Sequence, residues 1–235
     1  MPSITLPVSD GTTAGAFVAR PAVARNAPGL ILFQEAFGVN DHIRDVAGRF
    51  AQQGYVVVAP EMFHRTAPAG FEAGYDASES VRPHVMALTA DGMTADARAA
   101  YDFLVADAGV DAKRIAAIGY CMGGRCAFIA NGSLPLRAAV SYYGGGIAPS
   151  LLSLAPSLGG PHLFFWGGKD THIPADQRAA ILDALKAAGK AYINVEMSEA
   201  GHGFFCDQRT AYHADSAAES WGLTLEFLRR SLLSP

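Results

Sequence analysis

The chain is predicted to be an α/β protein: an eight-stranded, mostly parallel sheet with helices on both faces. Three observations predict it. Short β-like runs alternate with longer stretches of helical periodicity, the pattern of parallel strands joined by helical crossovers. Several of the runs, such as Leu30-Ile31-Leu32-Phe33 and Val56-Val57-Val58-Ala59, are continuously apolar, as strands covered on both faces must be. The turn signal Ser9-Asp10-Gly11 joins two early strands directly, so that pair is expected to be antiparallel.

In chain order, strands are expected at 4–7, 12–19, 29–33, 55–59, 114–119, 138–142, 162–166 and 192–195. Helices are expected at about 41–53, 94–106, 122–130, 174–188 and 216–230. Asp111 and Pro174 stand near element starts, and Gly189 after Ala188 marks a helix stop. The segment 60–90 has weak periodicity and is rich in Pro, Gly and Ser, with several His and Arg. It reads as an excursion over the sheet edge that could wall a substrate site. No repeat or linker divides the chain, so 1–235 is expected to be a single domain.

With 235 residues and half of them apolar, the chain can bury one substantial core. A net charge of -4 and 17% charged residues leave no basic stripe to neutralise a phosphate backbone, which excludes nucleic acid as an expected partner. No apolar run is long enough to span a bilayer, and the N-terminus MPSITLPVSDG lacks the basic and apolar regions of a signal peptide. The cytoplasm is therefore the expected compartment, and no membrane partner is expected. Cys121, Cys126 and Cys206 are too few for a disulfide framework and lack paired metal spacing. No H-E-x-x-H motif occurs and the seven histidines are dispersed, so neither a metal nor a cofactor is expected in catalysis.

The chemistry is concentrated in four loops. Ile118-Gly119-Tyr120-Cys121-Met122-Gly123-Gly124 leaves an apolar strand and enters a helix, which is the context of a nucleophile elbow with cysteine in the place of serine. Gly119 and Gly123 permit the sharp turn, and the helix N-terminus beneath Cys121 favours an anion. A Gly-rich turn holding an inert buried cysteine is the plainer alternative. A nucleophile, acid and histidine in this chain order, each after a successive strand, make the triad of an α/β-hydrolase. Trp166-Gly167-Gly168-Lys169-Asp170 places a carboxylate after one strand, and Ala200-Gly201-His202-Gly203-Phe204 places an imidazole after the next. Asp170 would set the imidazole tautomer, although alone it also reads as a helix N-terminal residue. Phe33-Gln34-Glu35-Ala36-Phe37 follows the third strand, where this fold finds one oxyanion donor; the hole is assigned to the backbone N–H groups of Ala36 and Met122.

These motifs, QEAFGVN at 34–40, GYCMGG at 119–124, GGKD at 167–170 and AGHGF at 200–204, resemble the dienelactone hydrolase family of the α/β-hydrolase fold along nearly the whole chain. The resemblance implies a carboxymethylenebutenolidase-like enzyme of aromatic catabolism that opens an enol lactone to maleylacetate. It implies Cys121 as nucleophile, Asp170 and His202 as its partners, and Glu35 as a carboxylate that pairs with the resting thiol until substrate displaces it. A thiolate is also a good leaving group, so cysteine suits substrates whose departing oxygen leaves as a stabilised enolate. Family substrates carry a carboxylate, and arginine is its natural clamp. The family arginine four residues past the histidine is replaced here by Cys206, and Arg209 and Arg82 are the nearest stand-ins. Phe37, Tyr120 and Phe204 could wall the pocket.

The expected partner is thus a small ester or lactone, carboxylated by the same reasoning, and the oligomeric state is not legible. Two other readings stand beside this one: a broader carboxylesterase or thioesterase, and a non-catalytic ligand-binding or redox-sensing protein using Cys121 and Cys126.

Overall fold

A computed structural model describes residues 3–233. Eight strands form one sheet: β1 (Ser3–Pro7), β2 (Thr13–Ala19), β3 (Ala27–Phe33), β4 (Val56–Pro60), β5 (Val110–Tyr120), β6 (Ala138–Tyr142), β7 (His162–Gly167) and β8 (Tyr192–Met197). Their order is β1-β2-β4-β3-β5-β6-β7-β8. The pairs β1 with β2 and β2 with β4 are antiparallel, and every other pair is parallel. Gly11 turns the first hairpin at φ 87°, as its position after Asp10 suggested.

Six α-helices accompany the strands: α1 (Asp41–Gln52), α2 (Ser78–Met86), α3 (Ala90–Ala106), α4 (Met122–Ser133), α5 (Ala175–Ala187) and α6 (Ala214–Leu233). Central strands β4, β6 and β7 are buried at every position, which explains their unbroken apolar sequence. Helix α1 packs on β2 and β4, α3 and α4 pack on each other and on β3 to β6, and α6 crosses β5 to β7. Gly189 ends α5 in the left-handed region at φ 64°, where glycine pays no steric penalty.

Three helical elements depart from the sequence reading. The excursion at 60–90 contains α2, whose periodicity is blurred because only Val81 is fully buried and Pro83 interrupts it. Helix α3 begins at Ala90 rather than 94, because the Thr89 hydroxyl caps it by accepting from the Gly92 N–H at 3.0 Å. A short 3-10 turn at Leu152–Ser157 also escaped the sequence pattern.

The strand order reverses direction at β3. From β3 the chain moves outward to β4, then returns to β5 on the other side of β3. Loops leaving the carboxyl ends of β3 and β5 therefore diverge, and the crevice between them is where open α/β sheets place their ligands. The loop at 34–40 and the turn at Cys121 border that crevice.

Candidate active site

Strand β5 ends at Tyr120 and α4 begins at Met122, so Cys121 is the entire connection. It holds φ 54° and ψ -119°, a strained conformation for a residue with a side chain. The turn survives because the chain crosses itself at glycines. A Cβ on Gly119 would stand 1.9 Å from the Gly123 carbonyl oxygen, and one on Gly123 would stand 2.4 Å from that of Phe33. The half-buried thiol sits at the N-terminus of α4, where no side chain caps the helix. Cys126, in contrast, lies buried within α4, its thiol pushed up to about 12 by burial, and its sulfur faces Met93.

The loops after β7 and β8 bring the other two residues to this sulfur. His202 Nε2 lies 3.1 Å from Cys121 Sγ, and His202 Nδ1 lies 2.8 Å from Asp170 Oδ2. Asp170 is held in turn by the His172 backbone N–H, which donates to Oδ1 at 2.7 Å. Burial alone would depress the imidazole, but the hydrogen bonds to Asp170 and Cys121 outweigh it and raise its pKa to about 10. Burial works against the Asp170 carboxylate too, yet the His202 hydrogen bond holds it below the ordinary value. Thiol, imidazole and carboxylate form an unbroken relay in which the base is oriented and its charged form favoured.

The loop at 34–40 forms the facing wall. Gln34 braces it, its amide donating to the Glu35 carbonyl while its side-chain oxygen accepts from the Met62 N–H, both at 3.1 Å. The N–H groups of Ala36 and Met122 have no hydrogen-bond partner among the described residues, as an oxyanion hole requires. The excursion lies on this loop: Gly38 bridges Glu72, Phe37 meets Tyr75 edge to face at 4.7 Å, and the Asn40 amide donates to the Tyr75 hydroxyl at 3.0 Å.

Glu35 is 1% exposed and does not pair with the thiol. Its Oε1 accepts from Arg209 at 3.1 Å, while Cys121 makes its hydrogen bond to His202. The expected resting pair is replaced because a guanidinium satisfies a buried carboxylate and a thiol does so poorly. Arg209 reaches the site from the loop after β8, its guanidinium 5.7 Å from the rings of both Phe37 and Tyr75. Cys206, at the position where the family carries arginine, turns inward and donates to the Tyr75 hydroxyl at 3.1 Å.

Other expected positions lie apart. Arg82 stands exposed on α2 and forms no ion pair among the described residues. Tyr120 and Phe204 are 0% exposed, so they build the core behind the site rather than a pocket surface. Tyr120 stacks on Phe205, and Phe204 packs against Tyr142 and Tyr143. Sequence reasoning missed Tyr143, whose ring lies 5.1 Å from that of His202, and Tyr75, which ties Asn40 to Cys206. Tyr143 follows a strand and adopts φ 39°, but nothing in an isolated Tyr-Tyr-Gly marks that strain. Tyr75 lies in the irregular excursion, where no periodicity assigns it a direction.

A sheet reversing at β3, with a strained elbow after β5 and a carboxylate and an imidazole after β7 and β8, has the architecture of an α/β-hydrolase. The dienelactone hydrolase family model matches residues 14–232. A carboxymethylenebutenolidase of Pseudomonas putida is 31% identical over 227 residues, covering 96% of this chain and 94% of its own. A Synechocystis sp. protein provisionally given the same name is 35% identical over 228 residues, covering 93% of this chain and 92% of its own. A crystal structure from Klebsiella pneumoniae, provisionally named a dienelactone hydrolase, superposes with a TM-score of 0.87 at 31% identity over 97% of this chain and 98% of its own. The chain therefore belongs to the dienelactone hydrolase family and is a hydrolase.

Proposed function

We propose that this chain opens a carboxylated enol lactone of the dienelactone type, carboxymethylenebutenolide to maleylacetate, through a thioester on Cys121. The observation that carries this reading is the relay from Cys121 to His202 to Asp170, continuous at 3.1 and 2.8 Å. His202, whose charged form is favoured, holds the thiol proton while Sγ attacks the lactone carbonyl, and the N–H groups of Ala36 and Met122 receive the developing oxyanion. Collapse of the adduct expels the ring oxygen as an enolate, which takes that proton from His202 and tautomerises to a ketone, leaving the imidazole neutral. Water, deprotonated by His202, then cleaves the thioester. Arg209 supports recognition of the substrate carboxylate, since its guanidinium lies beside Phe37 in the loop facing the relay and already holds one carboxylate, that of Glu35. The reaction fits a cytoplasmic step in aromatic catabolism performed by one domain, and the three free cysteines suit a reducing compartment.

The test is steady-state hydrolysis of a carboxylated enol lactone and of p-nitrophenyl acetate by the parent and by Cys121→Ala. The expected result is a marked preference for the lactone that disappears in Cys121→Ala. Equal or better turnover of the plain ester would make the protein a broader esterase, and turnover retained without Cys121 would overturn the thioester route.

A further inference from the structure

Three residues beside the relay, none of them used by the chemistry above, converge from two distant segments. Glu35 precedes the oxyanion residue, His42 lies in the first turn of α1, and Cys206 lies in the loop after β8. One ligand atom from each lies within 4.8 Å of the other two, and all three residues are buried. Two polar atoms of this cluster have no hydrogen-bond partner: Glu35 Oε2 and His42 Nε2. Their residues are 1% and 2% exposed, so no protein group among the described residues and no bulk solvent reaches these two atoms. Buried unpaired acceptors of this kind call for an explanation, and a cation supplies one.

We propose that Glu35, His42 and Cys206 form a binding site for a divalent cation of borderline softness, such as Zn2+. A carboxylate, an imidazole and a thiolate are the donor types zinc takes, and no all-oxygen site for magnesium or calcium can be built from them. Tetrahedral zinc spaces its ligand atoms about 3.5 Å apart, so side-chain movements of about 1 Å close the cluster. Glu35 need not leave Arg209, because Oε1 faces the guanidinium and Oε2 is the free oxygen. His42 Nδ1 lies 3.5 Å from Asp207 Oδ1, the outer carboxylate that commonly orients a ligating imidazole. Burial disfavours protonation of His42, which keeps the imidazole in its ligating form. On binding, the Cys206 thiol proton passes to solvent and the sulfur becomes the third ligand. Charges then balance only with the flanking groups counted: Glu35, Cys206 and Asp207 carry three negative charges against the ion and Arg209, and Tyr75 Oη lies 3.1 Å from Sγ. Asp207 is 63% exposed, so the cluster lies one side chain beneath the surface.

Such an ion would tie the loop after β3 to the loop after β8, the two segments that carry the oxyanion donor Ala36 and the base His202. Its role is therefore positional, and it is not a step in hydrolysis.

The test is titration of the full-length protein with Co2+, read by the thiolate-to-cobalt charge-transfer absorption in the near ultraviolet, with thermal unfolding in Zn2+ alongside. The expected result is one Co2+ per chain with a thiolate band that is retained in Cys121→Ala and lost in Cys206→Ser and His42→Gln. The parent should also unfold at a higher temperature with Zn2+ than with a chelator. Absence of a thiolate band in the parent overturns the proposal. So does a band that vanishes in Cys121→Ala, which would place the ion on the relay thiol. If the Cys206 and His42 variants do not fold, the comparison of the parent with Cys121→Ala still decides. An ion at the other cluster, Asp170, His172 and His202, could draw a thiolate band only from Cys121, so retention of the band in Cys121→Ala excludes it.

Discussion

At Asp170, burial and hydrogen bonding oppose each other, and the His202 contact prevails. Asp170→Asn keeps the shape but removes the charge that favours the imidazolium and fixes its tautomer. Turnover should fall by about 10,000-fold, as when a triad acid becomes its amide, with little change in KM. Single-turnover kinetics on the enol lactone measure it. Arg209 poses a different problem, because it neutralises a carboxylate that is 1% exposed. Arg209→Gln leaves that charge stranded and should cost about 3–5 kcal/mol of stability. Adding Glu35→Gln should recover most of the loss, and urea unfolding of the four members of this cycle checks it. In the double variant, KM for the carboxylated lactone should rise roughly 10- to 100-fold, the loss of one or two charge-assisted hydrogen bonds, while KM for p-nitrophenyl acetate stays unchanged.

Among the elements, the β5–α4 elbow is the tightest and α6 has room to spare. Gly123 faces the backbone of β3, so Gly123→Ala must push α4 away from the sheet and shift both Cys121 and the Met122 N–H. We expect a stability loss of about 3 kcal/mol and at least a 100-fold drop in turnover. Gly222 in α6 is the contrasting case, since a Cβ there meets nothing within 4 Å. Gly222→Ala should stabilise the protein by about 0.5–1 kcal/mol without altering kinetics, through helix propensity alone. Denaturant midpoints for the two variants separate steric from entropic glycine.

For the molecule as a whole, acid sensitivity should centre on an imidazole far from the chemistry. His162 begins β7 with no exposed surface, beside Asn131 and 2.8 Å from the Ser141 hydroxyl, and burial lowers its pKa from 6.5 to about 3. The unfolded chain therefore takes up a proton before the folded one does. The stability this represents is fully present above pH 6.5 and is lost as the pH falls toward about 3. The slope should approach about 1.4 kcal/mol per pH unit for this one group. His42, also depressed by burial, adds in the same direction. Urea unfolding between pH 7 and 5 should show the slope, and His162→Gln should reduce it; an unchanged slope would assign the acid limb to other groups.

Local pattern alone was enough for the eight strands, five of the six α-helices, the elbow, and the loops carrying Asp170 and His202. Continuous apolar runs, glycines flanking Cys121 and a carboxylate or imidazole just past a strand are statements about neighbouring residues, and neighbouring residues express them. Helix α2 was illegible for the same reason: an exposed helix interrupted by Pro83 and burying little beyond Val81 has no apolar stripe to read. What only tertiary structure decided was pairing between distant segments. Glu35 and Arg209 are 174 residues apart in sequence, and their contact redirects the carboxylate expected to face the thiol. Tyr120 and Phe204 stand beside motif residues, yet they are completely buried against Tyr142 and Tyr143 at the end of β6. His42 and Cys206 share no motif, and they meet only because the long loop after β8 folds back over the sheet to the start of α1. Periodicity and turn chemistry act over a few residues, whereas the partner of a buried charge is chosen by whichever donors the finished fold delivers to it.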